Sequence, residues 1–246
     1  MTASLRQRVY GSYLSKSGVV GGDDPRASLA GRHPYLKRLV REHFPPAHDA
    51  RIVDVGCGHG QLIDCARNAG YKNVTGVDGS AEQVAAAARL GIDGIQQEDA
   101  FRYIRALHEA SIDCVVSFDV IEHFDDDELI GFCDEVLRVL RVGGKWIVHV
   151  PNAEGPFGGR MRYWDMTHER AFTATSIKQL LLASGFGTVE CFEDQPVPHG
   201  VKSACRWVLW KFLRAGMRFY LAVETGDIAR HSVLTQNLLA VATKHE

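Results

Sequence analysis

From Arg51 onward, short apolar runs alternate with amphipathic stretches, which predicts strand-helix units and a mostly parallel sheet. Strands are expected at RIVDV, NVTGVD, GIQQED, DCVVSFD and KWIVHV, with helices at about Gln61 to Ala69, Glu82 to Leu90, Ala100 to Glu109 and Asp126 to Leu140. A loop, PNAEGPFGGRMRYWDMTHERAFT, follows the fifth strand, and a helix then starts at Thr175 or Ser176 as N-cap and stops at Gly185. FGTVECFE and VLTQNLLAVATK read as strands six and seven, and the about forty residues between them exceed any hairpin turn, so they form an inserted element. The expected fold is α/β, a Rossmann-like seven-stranded sheet with helices on both faces. Residues 1–50, polar and glycine-rich and then basic and aromatic, read as an N-terminal cap whose helix ends at Pro45-Pro46. The main domain covers 51–246, with a substrate loop at 153–175 and a helical insertion at 195–232.

Composition adds exclusions. With 46% hydrophobic and 24% charged residues the chain is an ordinary globular one, and a formal charge of -2 supplies no global basic field, so nucleic acid is not an expected partner. The six cysteines are scattered, with no CxxC pair, and are expected to be buried free thiols of a reducing cytoplasm. The N-terminal stretch MTASLRQRVYGSYLSKSG has no apolar core of the signal-peptide type, and no apolar run has the length of a membrane span. A cytoplasmic protein is expected.

In an open parallel sheet, ligands bind at the carboxyl ends of the strands. The unusual residues fall there repeatedly: Asp54, Gly56, Gly58 and Gly60 after the first strand, Asp78, Gly79 and Ser80 after the second, Glu98 and Asp99 after the third, Asp119, Glu122 and His123 after the fourth. Each acid alone could be a helix N-cap or a solvated turn. Together they read as one pocket. The dinucleotide fingerprint GxGxxG requires a third glycine at position 61, where this chain has Gln61. Asp78 suits a ribose diol and Asp99 the exocyclic amine of an adenine, while the absence of a basic cluster argues against a pyrophosphate. A dinucleotide-dependent oxidoreductase or epimerase stays open as the alternative.

VDVGCGHG, GVDGS, QEDA and SFDVIEHFDDDELIGFCDEVLRVLRVGGKWIVHVPN resemble the motifs of the class I S-adenosylmethionine-dependent methyltransferases, closely from Arg51 to Val150 and more loosely to Lys244. The resemblance implies that Gly56, Gly58 and Gly60 let the backbone approach the methionine and ribose of S-adenosyl-L-methionine, with Asp54 near its amino group. It further implies Asp78 and Gly79 at the ribose, Asp99 and Ala100 at the adenine, and Asp119 and Val120 beneath the sulfonium. A cationic sulfonium is best held by carboxylates and carbonyls, which fits this set.

The segment RYWDMTHERAFTATS, Arg162 to Ser176, crowds Tyr163, Trp164, Asp165, His168, Glu169 and Arg170 where the methyl acceptor would lie. For a hydroxyl acceptor, His168 is the expected general base, oriented by Asp165 or Glu169, with His123 second; the alternative is that His168 only shapes the loop. No ligand triad stands out among Asp165, His168 and Glu169, and no metal is expected. Aromatic and arginine side chains suit a sugar or phosphate-bearing acceptor. The segment also resembles those of bacterial methyltransferases associated with cell-envelope polysaccharide and glycolipid synthesis, which implies a sugar or glycolipid acceptor.

Between Gln195 and Val223 there are five basic residues and no acids. On a helix, Lys211, Arg214 and Arg218 share one narrow arc with Trp207 and Trp210 beside it, and the rest is apolar. This predicts a helix lying on an anionic membrane through 203–223, at its inner face. A lid or a homodimer helix are the other readings, and a non-catalytic membrane adaptor is the third functional class.

Overall fold

The protein, in a computed structural model, is described for Val9, residues 25–226 and residues 232–246. Most of the first half of the expected cap and residues 227–231 of the expected insertion lie outside the described residues. The strands are β1 (Arg51–Val55), β2 (Asn73–Asp78), β3 (Ile95–Gln97), β4 (Ile112–Phe118), β5 (Leu140–Pro151), β6 (Thr188–Glu193) and β7 (Asn237–Thr243). They form a seven-stranded sheet in the order β3-β2-β1-β4-β5-β7-β6, parallel throughout except for β7, which runs antiparallel to β5 and β6. The expected Rossmann-like α/β sheet is present.

The alternation within the strands builds two cores. Val53, Val55, Val115, Trp146 and Val148 point to one face, where they meet α4 (Ala100–Ala106), α5 (Asp126–Val139) and α7 (Ala174–Ala183). Ile52, Cys114, Val116 and Ile147 point to the other, covered by α1 (Pro25–His43), α2 (Gln61–Asn68) and α3 (Ala81–Leu90). Buried on both faces, the central strands read as near-continuous apolar runs, the pattern of a parallel sheet. Leu36, Leu39, Val40 and Phe44 of α1 belong to this second core, so the later part of the expected cap is a layer of the domain.

Three boundaries differ from the sequence reading, each for a local reason. α4 stops at Ala106, short of Glu109, because the Arg138 guanidinium takes the carbonyls of Ile104, Arg105 and Leu107. β5 starts at Leu140 because its register slips between Ile112↔Leu140 and Cys114↔Lys145, with Gly143 at φ 78° taking up the extra residues. α7 is capped by Thr173, not Thr175 or Ser176: Thr173 Oγ1 accepts the Ser176 N–H and Ser176 Oγ accepts the Thr173 N–H, a reciprocal capping box. The cysteines are free, but Cys205 is exposed and Cys57 and Cys191 are only half-buried, a correction to the expectation of burial.

The loop after β5 leaves and returns at one neck. Ala153 N–H donates to Phe172 O and Phe172 N–H to Pro151 O, while the fully buried Asn152 amide donates to the carbonyls of Val233 and Thr235. The far side of the loop is pinned to the segment after β4, where Glu169 N–H donates to Glu122 O at 2.8 Å and Arg170 grips Phe124 O and Asp126.

The inserted element is α8 (Val201–Thr225), a single 25-residue helix of which only Ser203 is fully buried. Its orientation reverses the expectation drawn from the basic arc. Arg214 pairs with Glu193 and Arg218 reaches Ser232 O, so both arginines face the body, with Trp207 and Trp210 half-buried beside them. The opposite, apolar face is the one in solvent.

A charged clamp joins three strands at their site edge. His149 of β5 is 2% exposed and lies between Asp119, which follows β4, at 2.8 Å and Asp194, which follows β6, at 3.4 Å. Burial works against a charged imidazole, but the Asp119 carboxylate overrides it and lifts His149 to about 10. Reciprocally, against the opposing effect of burial, His149 holds Asp119 down at about 2. Asp119 sits at φ 55°, a left-handed backbone that a side chain rarely adopts, so the clamp fixes a strained residue. The pH sign follows. With the His149 pKa raised above its ordinary 6.5, the stabilisation is intact below that value and is lost as pH climbs through about 10. The melting-temperature advantage of the parent over His149→Phe should therefore be largest near about pH 5–6 and shrink toward about pH 10. An advantage that stays constant across that range contradicts an ionic clamp.

Candidate active site

The first site feature is the turn after β1. Gly56, Gly58 and Gly60 all have positive φ, which the alternating glycines of the sequence allow. Gly56 N–H and Cys57 N–H both donate to Val77 O, and Gly58 N–H donates to Asp78 Oδ2 at 2.8 Å, while Ser80 N–H donates to Asp78 Oδ1 at 2.8 Å. The Asp78 carboxylate thereby ties the end of β2 to the turn of β1. Burial pushes its pKa up, and these two N–H groups draw it back down.

At Gly56 a Cβ would come within 2.4 Å of Val120 Cγ2, so the bare backbone is needed where the turn meets the segment after β4. At Gly60 a Cβ would meet Ile92 and Ile95 at 2.8 Å, so the missing side chain there lets the turn pack against the start of β3 and the residues before it. Gly79 has open space around it, as a residue facing a ligand should.

Asp54 is 3% exposed, and burial followed by the charge of Asp78 raises its pKa well above the usual carboxylate range. Ser80 Oγ and His59 Nε2, flanking the same turn, are buried with no hydrogen-bond partner among the described residues. Asp99 is exposed and is the N-cap of α4, its Oδ1 accepting from Phe101 N–H and Arg102 N–H at 3.0 Å each, with Ala100 as the first helical residue. Its second oxygen is unused by those bonds, so the cap and a ligand contact are compatible.

The second feature lies beneath the loop. Glu122 is 0% exposed, and neither carboxylate oxygen has a hydrogen-bond partner among the described residues. Burial, and then the charge of Asp119, push its pKa well above the usual range. His123 and His168 stand over it edge to face, with ring centroids 4.7 Å apart, and His168 Nε2 is 4.0 Å from Glu122 Oε1. One ligand atom from each of Glu122, His123 and His168 can be chosen so that all lie within 4.8 Å of one another.

Hydrogen bonds set the rings. Thr167 Oγ1 donates to Asp165 Oδ1 at 2.7 Å and so accepts from His123 Nδ1 at 2.9 Å, and His168 Nδ1 donates to Met161 O at 3.1 Å. Each imidazole is thus held in place through its Nδ1. Burial, and next the neighbouring His168, lower His123 to about 4, so it is neutral at physiological pH.

Asp165 therefore orients His123 through Thr167, and Glu169 contributes its backbone N–H to Glu122 O. Neither orients His168 in the manner expected from sequence. The grouping of Glu122, His123 and His168 was also not anticipated, since its members come from two segments about 45 residues apart. His149, Asp194 and Thr167 were missed as well. His149 stood inside the apolar string KWIVHV, and a polar residue in a buried strand was the signal available.

Comparison with known proteins agrees with this geometry. Residues 29–190 match the Methyltransferase domain family. A probable S-adenosylmethionine-dependent methyltransferase of Mycolicibacterium smegmatis is 32% identical over 135 residues, 55% of this chain and 51% of that protein. The ubiquinone biosynthesis O-methyltransferase of Xylella fastidiosa is 31% identical over 132 residues, 52% of each. The chain thus spans about half the length of these curated relatives. The crystal structure of a SAM-dependent methyltransferase from Archaeoglobus fulgidus shares the fold, with a TM-score of 0.65 at 19% identity, over 89% of this chain and 97% of that one. The match extends over well more than half of the chain, and the dinucleotide alternative falls with it: the chain belongs to the class I S-adenosylmethionine-dependent methyltransferases.

Proposed function

We propose that the enzyme transfers the methyl group of S-adenosylmethionine to a hydroxyl of a sugar or lipid-linked cell-envelope precursor, met at the inner face of the membrane. The observation that carries oxygen as the acceptor atom is the buried Glu122, without a hydrogen-bond partner among the described residues, beside His123 and His168 and directly under the loop that carries Tyr163, Trp164 and Arg162. A hydroxyl needs its proton removed as the methyl arrives, and this cluster gathers three groups able to take or steer a proton. A relative named as an O-methyltransferase supports the same atom. The exposed aromatics of the loop, with Arg160 over Trp164 and Arg162 over Tyr163, suit stacking on a sugar and forked bonds to a phosphate.

The residues present fit the cofactor. The bare Gly56–Gly58 backbone and Ser80 Oγ, without a hydrogen-bond partner among the described residues, form a cradle with unmet polar capacity, and the carboxylates of Asp54 and Asp119 supply negative charge for a cation. In this reading Asp78 and Gly79 hold the ribose, Asp99 and Ala100 the adenine, Asp54 the amino group, and Asp119 with Val120 the sulfonium side. The bound cofactor brings an electrophilic methyl group. The chain's own work is to align the acceptor oxygen, exclude water and accept the proton, for which alignment is the larger share.

Glu122 favours a second reading of the same cluster. Two imidazole nitrogens and a carboxylate within 4.8 Å, each imidazole fixed by an outer hydrogen bond, are a donor set suited to a divalent cation. A cation there would lower the pKa of a hydroxyl bound to it. His168 then serves as ligand and not as base.

Loss of Asp78 should weaken the cofactor. Asp78→Ala is expected to cost about 1.5–3 kcal/mol of S-adenosylmethionine binding by calorimetry, the scale of charge-assisted hydrogen bonds. Unchanged affinity would remove Asp78 from the ribose site.

The acceptor side is tested separately. His168→Ala should lower turnover at least about a hundredfold with cofactor affinity nearly unchanged. Chelator treatment then divides the readings: retained activity in EDTA with Glu122→Gln only mildly impaired supports the base, whereas activity lost in EDTA, restored by a divalent cation and absent in Glu122→Gln supports the ligand. A fully active His168→Ala enzyme makes the histidine a scaffold and refutes both.

A further inference from the structure

α8 presents a wide apolar face to solvent. Leu209, Phe212, Leu213, Phe219, Tyr220 and Val223 recur at helical spacing along its outer side, with Phe212 73% and Phe219 72% exposed. The core side chains of the sheet and its covering helices are buried to a few per cent exposure, whereas α8 leaves a stripe of large apolar ones uncovered for most of its 25 residues. Such a stripe marks a surface that something covers.

Charge identifies the occupant. Lys202 lies exposed at the N-terminal end of the stripe, Arg206 along one margin and Lys211 along the other, over Trp207 and Trp210, while the only carboxylate of the helix is Glu224 in its last turn. Arg214 and Arg218, turned to the body, are already engaged. A second copy of α8 laid on this face would set mostly like charges together. Lipid phosphates would answer the cations on both margins, while acyl chains took the apolar side chains between them. No helix among the described residues is long and apolar enough to cross a membrane, so α8 lies along the surface.

Position supports the same occupant. β6 runs parallel to β5, so its end and Asp194 lie at the edge of the sheet that carries the site, and Asp194 contacts His149 there. α8 leaves from that edge a few residues later. The loop over Glu122 leaves the same edge and exposes Phe157, Tyr163, Trp164 and Met166.

We propose that α8 docks the enzyme onto an anionic lipid surface through its outward apolar face, with Lys202, Arg206 and Lys211 at the phosphates. This deepens the membrane part of the proposed function by naming the surface, and its test needs no turnover, so the acceptor reading can fail while this one stands. The experiment is flotation of the full chain with vesicles of neutral phosphatidylcholine, with and without about one-third phosphatidylglycerol. The parent should float with the anionic vesicles and little with the neutral ones. Phe212→Glu with Phe219→Glu should reduce binding at least tenfold, and Lys202→Glu with Arg206→Glu should reduce it and flatten its salt dependence. Circular dichroism and S-adenosylmethionine affinity should match the parent in both variants. A parent that stays unbound, binds neutral vesicles equally well, or floats undiminished after the phenylalanine changes overturns the proposal. So does light scattering that shows a parental dimer, with no vesicle binding, which the phenylalanine changes dissolve into monomers.

Discussion

Four carboxylates, Asp54, Asp78, Asp119 and Glu122, are gathered at one edge of a parallel sheet, and the burial of their charge, sharpened by the repulsion of Asp54 by Asp78 and of Glu122 by Asp119, is the constraint around which the site is built. Each is relieved in its own way. Asp78 is paid in backbone N–H groups from the turns it joins, and Asp119 is answered by the buried His149 imidazolium. Among the described residues no salt bridge reaches Asp54 and Glu122 has only the His168 imidazole, at 4.0 Å, and burial drives both toward the neutral acid. An edge with this surplus of acid suits a ligand that brings positive charge, and S-adenosylmethionine brings a sulfonium and an ammonium.

The scaffold converts that constraint into geometry. The clamp of Asp119, His149 and Asp194 ties the ends of β4, β5 and β6, and its centre is stacked on Phe118 at 4.7 Å with Tyr35 of α1 at its edge. Val120, next in sequence, packs into the space that Gly56 leaves empty. The glycine turn, the strained Asp119 and the Glu122 cluster are therefore one mechanical unit. Over it lies the loop from Ala153, closed at its neck by Asn152 and held down at Glu122, so the loop is tied to the same short segment that packs against the glycine turn.

Much of this was legible in the sequence. Strand alternation and helix periodicity located every strand of the sheet, because a parallel sheet covered on both sides forces uninterrupted apolar runs. The glycine turn and the acids at the strand ends were legible because topology sends the carboxyl end of every parallel strand to one edge. Relations between distant side chains were not. The contact of His149 with Asp194 spans 45 residues, and the relay from Asp165 through Thr167 to His123 joins two segments whose approach depends on the fold of the loop. The orientation of α8 was misread for a physical reason. A periodic pattern separates a basic arc from an apolar one but does not say which is turned to the body, and here Glu193 at the end of β6 captures Arg214.

The central claim, that an acid-rich edge is balanced by a cationic cofactor, is tested most directly by proton linkage. Calorimetric titration of S-adenosylmethionine into the enzyme in buffers of different ionisation enthalpy counts the protons exchanged on binding. A cation placed against Asp54 favours its ionised form, so binding should release protons over the pH range in which the free enzyme holds Asp54 protonated. That release should shrink in Asp54→Asn. Binding with no proton release, or a release unchanged by that substitution, would contradict the account.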